Sequence, residues 1–332
     1  MLLWSGFIVC TTLIVLSGIR LSKYGDILAE KSGLGRTWIG LILMASVTSL
    51  PELVTGVSSV TYAGTPDIAV GDVLGSCVFN ILILSVLDAF YRQCPISTRA
   101  HHGHVLAGGI GILLISIVAM SLFAGGRITS IGWIGAYTLL FVVIYLIAMR
   151  LIFYYEKRQI AAYMKEVATE YRYKDIPTKT AIINYVGNAA VVISAAVFLP
   201  KIGVGIAEST GLGQTFVGNI FIAFSTSLPE VVVSLSAIKM DAIDLAIGNL
   251  FGSNIFNILI LAIDDVLFLK GPILFFANQE HIISALSAIA MTTVAIIGLT
   301  YRAEKKFLFL AWDSIGIILV YFINILMLYA AR

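Results

Sequence analysis

DIAVGDVLGSCVFNILIL, residues 67–84, returns at 244–261 as DLAIGNLFGSNIFNILIL, identical at 11 of 18 positions with an offset of 177. The repetition reaches further back along the chain. With an offset of 178, AEKSGLGRTWIG (29–40) lies over AESTGLGQTFVG (207–218), and ASVTSLPELV (45–54) over AFSTSLPEVV (223–232). One residue is lost in the turn between the two blocks. A chain that carries one pattern twice, each time inside long apolar runs, reads as two related halves.

Those runs set the class. Of 332 residues, 59% are hydrophobic and 12% charged, about half the charged fraction of a soluble domain. Ten apolar segments can be drawn, at 2–19, 37–62, 67–90, 105–124, 128–149, 180–199, 215–238, 243–268, 282–300 and 308–330, most of them long enough to span a bilayer as a helix. The expected fold is an all-α polytopic membrane protein, with ten transmembrane helices arranged as two inverted five-helix repeats. The first repeat covers 1–149 and the second 180–332. Between them, 150–179 is a polar cytoplasmic connector that reads as an amphipathic or exposed helix. The inversion follows because the offset spans five segments, an odd number, which turns the second copy over in the membrane.

The cations orient the chain. With the N-terminus outside, the cytoplasmic loops hold 17 of the 21 Lys and Arg residues and the outer loops 4, so the positive-inside rule places both termini outside, in the plasma (cell) membrane. The first segment lacks a basic n-region and a small-residue cleavage site and reads as a retained span.

Inside this apolar frame the motif TSLPE stands at 48–52 and again at 226–230. Proline has no N–H, so in a helix the carbonyls of Val47 and Ser225 lose their partners to Pro51 and Pro229. Such freed backbone persists in hydrocarbon only where it lines a cavity or meets a partner. Thr48 and Ser49 precede Glu52 by four and three residues, which puts two hydroxyls and a carboxylate on one face. Thr226, Ser227 and Glu230 repeat the arrangement. In the second block, Ser76 and Asn80, like Ser253 and Asn257, share a face. The Gly71-x-x-x-Gly75 and Gly248-x-x-x-Gly252 pairs clear side chains from it for close helix approach. These are hard oxygen donors of the kind Ca²⁺ prefers, and Na⁺ uses similar oxygens. No thiolate or imidazole set is offered to a softer metal, and no resident cofactor is expected.

These residues resemble the two α-repeats of the cation/Ca²⁺ exchanger superfamily, most closely its Na⁺/Ca²⁺ exchanger branch in compact prokaryotic form, and the resemblance covers nearly the whole chain. It implies that Glu52 and Glu230 bind both Ca²⁺ and Na⁺, with Thr48, Ser49, Thr226, Ser227, Ser76 and Ser253 supplying hydroxyls. Ala45 and Ala223 would supply carbonyls, and Asn80 and Asn257 fall at the remaining central positions. It also implies that the first and sixth spans slide over a fixed core of eight helices. Similar prokaryotic exchangers often carry aspartate where this chain has Asn257, which leaves the coupling ion open. The function expected is secondary active exchange of Ca²⁺ for Na⁺ by alternating access. The alternatives are a Ca²⁺/H⁺ exchanger using the same glutamates as proton carriers and, from another class, a passive cation channel. The TSLPE context favours the sodium branch, since proton exchangers more often set their glutamates in Gly-Asn-x-x-Glu. H⁺ or K⁺ remain candidate further ions, and the expected assembly is a monomer or weak oligomer in the lipid bilayer.

Other residues receive plainer readings. Asp72 reads as a helix-cap residue near the membrane surface, or else as a negative charge restored where the second copy has Asn249. Asp67 and Asp244 read as helix N-caps. Asp88 and Asp265, with Asp264 beside the latter, read as interfacial residues at span ends, with an ion vestibule as the alternative. His101, His102 and His104 read as a solvated loop, and Cys10, Cys77 and Cys94 as packing residues. Net charge is +2 with no basic tract, so no nucleic-acid partner is expected. No Walker A pattern, Ser–His–Asp set or zinc motif occurs, and the chain is not expected to be an enzyme.

Overall fold

The structure is a computed structural model and describes residues 2–31, 48–127, 129–163, 176–239, 243–307 and 309–331. It is built from helices: α1 Leu2–Lys31, α2 Leu50–Ser58, α3 Pro66–Phe90, α4 Gly103–Ala124, α5 Ala136–Tyr163, α6 Thr178–Thr210, α7 Gln214–Thr226, α8 Leu228–Lys239, α9 Ile243–Leu267, α10 His281–Tyr301 and α11 Trp312–Ala331. A two-residue hairpin, β1 Ser130–Ile131 with β2 Ile134–Gly135, precedes α5. Among the described residues seven helices are long and apolar enough to cross a membrane, and α7 with α8, bent by 43°, adds one more if the pair is a single broken span. The chain is an all-α polytopic membrane protein. Much of the expected second segment lies in 32–47, outside the described residues. The expected connector begins as a continuation of α5, which runs on to Tyr163.

The layering follows from which helices can be apolar on every side. In α3 and α9, 72% and 83% of the apolar stretch is buried, against 22% in α1 and α11. A helix without a polar face belongs in the interior, and these two occupy the centre, packed on each other and on the α7–α8 pair. Glycine lets them come close. A Cβ on Gly75 would lie 2.2 Å from the Asn219 carbonyl oxygen, and one on Gly71 3.0 Å from Gly218 Cα. The π-helical turn Val217–Ile222 in α7 is therefore pressed directly on α3.

Two separate apolar clusters result. The larger joins side chains of α3, α4, α5, α9 and α10. The smaller, between α1 and α6, gathers Phe7, Cys10 and Ile14 with Ala195, Leu199 and Ile206, and reaches Val217 and Ile222 of α7. α1 and α6 thus pack chiefly on one another, and α1 meets the interior at the helix break, where a Cβ on Gly18 would be 2.7 Å from Pro229 Cγ.

Reciprocal polar contacts tie the two halves. Asp67 accepts from the Asn278 N–H at 2.6 Å and pairs with His281 Nε2 at 3.1 Å. Asp244 accepts from the His101 N–H at 2.7 Å and pairs with His104 Nε2 at 3.0 Å. The two sets are 177 residues apart in every member. Asp67 and Asp244 are therefore not caps of their own helices. They sit within the first turns of α3 and α9 and hold the start of a helix from the other half. The reading of 101–104 as a solvated loop is corrected in part: His102 is exposed, but His104 is buried and stacks on Phe251.

Asp88 and Asp265 form a second matched pair. Asp88 accepts from the Ile96 and Ala311 N–H groups at 2.9 and 2.7 Å and pairs with Lys306 at 2.9 Å. Asp265 accepts from the Ile273 and Gly135 N–H groups at 2.6 and 2.9 Å, and from the hydroxyls of Tyr137 and Thr138 at 2.8 and 2.5 Å. With their oxygens spent on loops, both carboxylates organise span ends; neither is left free to line a vestibule.

Candidate cation site

The two TSLPE motifs meet at the centre. Each is a break in a helix: Ser49 has φ −85° and ψ 13°, Ser227 φ −90° and ψ 4°, both in the sparsely populated bridge region. Each break is followed by proline in the first turn of a new helix, where its missing N–H costs nothing. Glu52 and Glu230 stand in those first turns, the electropositive ends of α2 and α8. Both are buried, at 1% and 0% exposure.

Each glutamate is held from the opposite motif. The Ser227 hydroxyl donates to Glu52 Oε1 at 3.0 Å, and the Ser49 hydroxyl to Glu230 Oε1 at 3.2 Å. Ser227 also shares a 2.9 Å hydrogen bond with Ser76 Oγ on α3. Thr48 stands beside Glu230, as does Ser253, whose hydroxyl is outside hydrogen-bonding geometry. Thr226 donates to Asp72 Oδ1 at 2.8 Å and lies 3.2 Å from the Ala223 carbonyl, which also accepts the Ser227 N–H at 3.0 Å. Asp72 is thus a buried neighbour of the centre, and the reading that made it a cap near the surface is corrected. Ala45 falls outside the described residues.

The asparagines lie between α3 and α9. Asn80 Nδ2 donates to Asn254 Oδ1 at 3.0 Å, and Asn254 Nδ2 to the Cys77 carbonyl at 3.1 Å. Asn257 Nδ2 has only a weak 3.9 Å contact with Cys77 Sγ. Asn254, which stands where the first copy has Cys77, escaped the sequence reading. The available signal was its place between Ser253 and Asn257 in GSNIFN.

The oxygens left over define the chemistry. Glu52 Oε2, Glu230 Oε2, Asn80 Oδ1, Asn257 Oδ1 and Ser253 Oγ are buried without a hydrogen-bond partner. Native interiors leave few such atoms, and an unpaired buried carboxylate costs several kcal/mol. A dehydrated hard cation satisfies carboxylate, amide and hydroxyl oxygens together. Among the described residues no group of three or more His, Cys, Asp and Glu is arranged to chelate a metal. The set is instead two carboxylates among neutral oxygens, suited to an ion that must leave again.

A multi-pass membrane protein with such an oxygen-lined interior belongs, by class, to the ion transporters. The sodium/calcium exchanger protein family model matches residues 2–154 and 180–330, and the chain belongs to that family of cation/Ca²⁺ antiporters, which are transporters and not enzymes. The inner membrane protein YrbG of Escherichia coli K12 is 28% identical over 257 residues, 76% of each chain. Among solved structures, the sodium-calcium exchanger NCX_Mj, soaked with Na⁺ and Ca²⁺, superposes with a TM-score of 0.62 at 21% identity over 98% of both chains. The H⁺/Ca²⁺ exchanger CAX gives 0.68 at 10% identity over 99% of this chain and 86% of that one. The fold is therefore shared by a sodium-coupled and a proton-coupled exchanger.

Proposed function

We propose that the protein exchanges cytoplasmic Ca²⁺ for external Na⁺ by alternating access, with Glu52 and Glu230 as the shared ligands. The observation that carries this reading is the reciprocal pair at the centre: each glutamate takes one hydroxyl from the opposite motif and keeps its second oxygen unpartnered. Around them, Thr48, Ser49, Ser76, Thr226, Ser227 and Ser253 provide hydroxyls, Asn80 and Asn257 amide oxygens, and Ala223 a carbonyl; Ala45, its counterpart in the first copy, would supply another. One Ca²⁺ is neutralised by the two carboxylates, and several Na⁺ compete for the same oxygens. Occupancy by one ion excludes the other, and that exclusion couples the two fluxes.

The same reading includes a ten-span inverted topology with both termini outside the cell membrane, in which the turn after α2 and the start of α3 face outward and the first turn of α9 inward. The small apolar cluster that joins α1 to α6, apart from the main core, suits a pair that moves together over the rest. A second reading, Ca²⁺/H⁺ exchange, draws on Asn257: one more carboxylate there would favour binding several Na⁺, and the chain has an amide. The test is ⁴⁵Ca²⁺ uptake into proteoliposomes loaded with Na⁺, compared with uptake driven by an acidic lumen. Uptake driven by Na⁺ is expected; uptake driven only by the pH gradient replaces the first reading with the second.

A further inference from the structure

Asp264 and Asp265 are adjacent on α9 and both fully buried, at 0% exposure, yet only Asp265 is satisfied. Neither carboxylate oxygen of Asp264 has a hydrogen-bond partner. Among the described residues no Lys, Arg or His pairs with it. Buried charges are normally paired or bound to a metal, and the loops that Asp265 organises have no need of this second carboxylate.

Its position is defined by a glycine. A Cβ on Gly56 would lie 2.4 Å from Asp264 Oδ2 and 2.8 Å from Oδ1, so the carboxylate rests on the bare backbone of α2. Gly56 follows Glu52 by four residues, about 6 Å along the helix, towards the α2–α3 turn. Thr55, on the same turn, is buried with its hydroxyl unpartnered, and Asp72 gives one oxygen to Thr226 and leaves Oδ2 unpartnered. Asp72 stands one turn before Ser76 on α3, the helix that packs on both α2 and α9.

The second copy has nothing equivalent. Through the repeat offsets, Asp264 falls on Leu87, Asp72 on Asn249 and Gly56 on Ser234. There the Asn249 amide donates to Ser234 Oγ at 3.4 Å. One flank of the central site is a neutral amide–hydroxyl pair, and the other holds two carboxylates, one of them seated against the bare backbone of Gly56.

We propose that Asp264, with Thr55 and the free oxygen of Asp72, forms a second binding station for a hard cation, Na⁺ or Ca²⁺, one helical turn outside the central site and absent from its other side. This deepens the exchanger reading and rests on Glu52 and Glu230 being the central ligands. An ion arriving from the α2–α3 side meets two carboxylates before the centre, whereas one arriving from the opposite side does not.

The test uses the full chain, purified in detergent, carrying Glu52→Gln with Glu230→Gln and equilibrated with ⁴⁵Ca²⁺ and, separately, ²²Na⁺. The expected result is saturable binding of about one ion per chain, weakened about tenfold or more by adding Asp264→Asn; the isotope that binds identifies the ion. Absence of saturable binding to a double variant with parental helix content and a monodisperse elution profile overturns the proposal. So does residual binding that Asp264→Asn leaves unchanged. If the Asp264→Asn chain does not fold, Thr55→Val in the same background decides, with an unchanged affinity again counting against the station. Failure of the central reading shows elsewhere, as ⁴⁵Ca²⁺ exchange that survives Glu52→Gln alone.

Discussion

At the centre of the molecule the two copies of the repeat answer each other in one crossed pair: Ser227 holds Glu52 as Ser49 holds Glu230. One turn away they part, with Asp72 and Asp264 on one flank and Asn249 and Leu87 on the other. The likeness fits what alternating access requires of a site served from both sides. Its two carboxylates should look the same from either, because the same ion must be held before and after the change. The flanks carry no such requirement. On the proposed account each would meet ions from one side only, and there the copies differ in charge.

The sharpest way to break the comparison is at its symmetric part. Glu52→Gln or Glu230→Gln leaves one carboxylate to face a divalent ion, so a bound Ca²⁺ keeps a buried, uncompensated positive charge, a loss of about 3 kcal/mol or more. Exchange in proteoliposomes should fall more than about a hundredfold in either variant, and by similar amounts. A large difference between the two would show that the centre is less symmetric than its hydrogen bonds.

Asp72→Asn makes the first flank resemble the second. It replaces the carboxylate oxygen that accepts the Thr226 hydroxyl with a neutral amide oxygen, a difference of about 1 kcal/mol. The apparent affinity for the ion offered on the α2–α3 side should weaken several-fold, with a smaller change for the ion offered opposite. Equal changes on both sides would remove the functional meaning of the asymmetry.

Gly75→Ala tests the frame itself. The added methyl meets the Asn219 carbonyl, which is backbone and cannot swing aside, so a loss of about 1–3 kcal/mol should appear as a lower Tm. Gly111→Ala in α4, where nothing lies within 4 Å, is the neutral control. The smallest effect is expected from Asn257→Asp, which should leave Ca²⁺ transport largely intact and alter its dependence on pH. An unchanged pH profile would place position 257 away from the transported ion.

Much of this was readable in the sequence because repetition exposes what single residues conceal. A lone glutamate in an apolar run says little, but two behind the same Thr-Ser-x-Pro, each followed by Gly-Ser-x-x-x-Asn, pointed to the centre. The repeat did not say that Ser227 would serve Glu52 and not its own Glu230, since that crossing exists only when the halves meet. The pairings of Asp67 with His281 and Asp244 with His104 were hidden for the same reason, and the carboxylates resembled ordinary caps. Asp264 was legible only in part. It read as one more span-end carboxylate beside Asp265; its repeat partner is Leu87, so an argument from matched positions gives it no weight of its own, and the contact with Gly56, some two hundred residues away in the chain, sets it apart.

The central claim is that two buried glutamates couple Ca²⁺ to Na⁺. It is tested most directly by ⁴⁵Ca²⁺ uptake into proteoliposomes carrying an outward Na⁺ gradient at equal pH on both sides, for the parent chain and for Glu230→Gln. The account predicts rapid uptake that collapses when the Na⁺ gradient is dissipated and is absent in the variant. Uptake indifferent to Na⁺, or undiminished without Glu230, would contradict it.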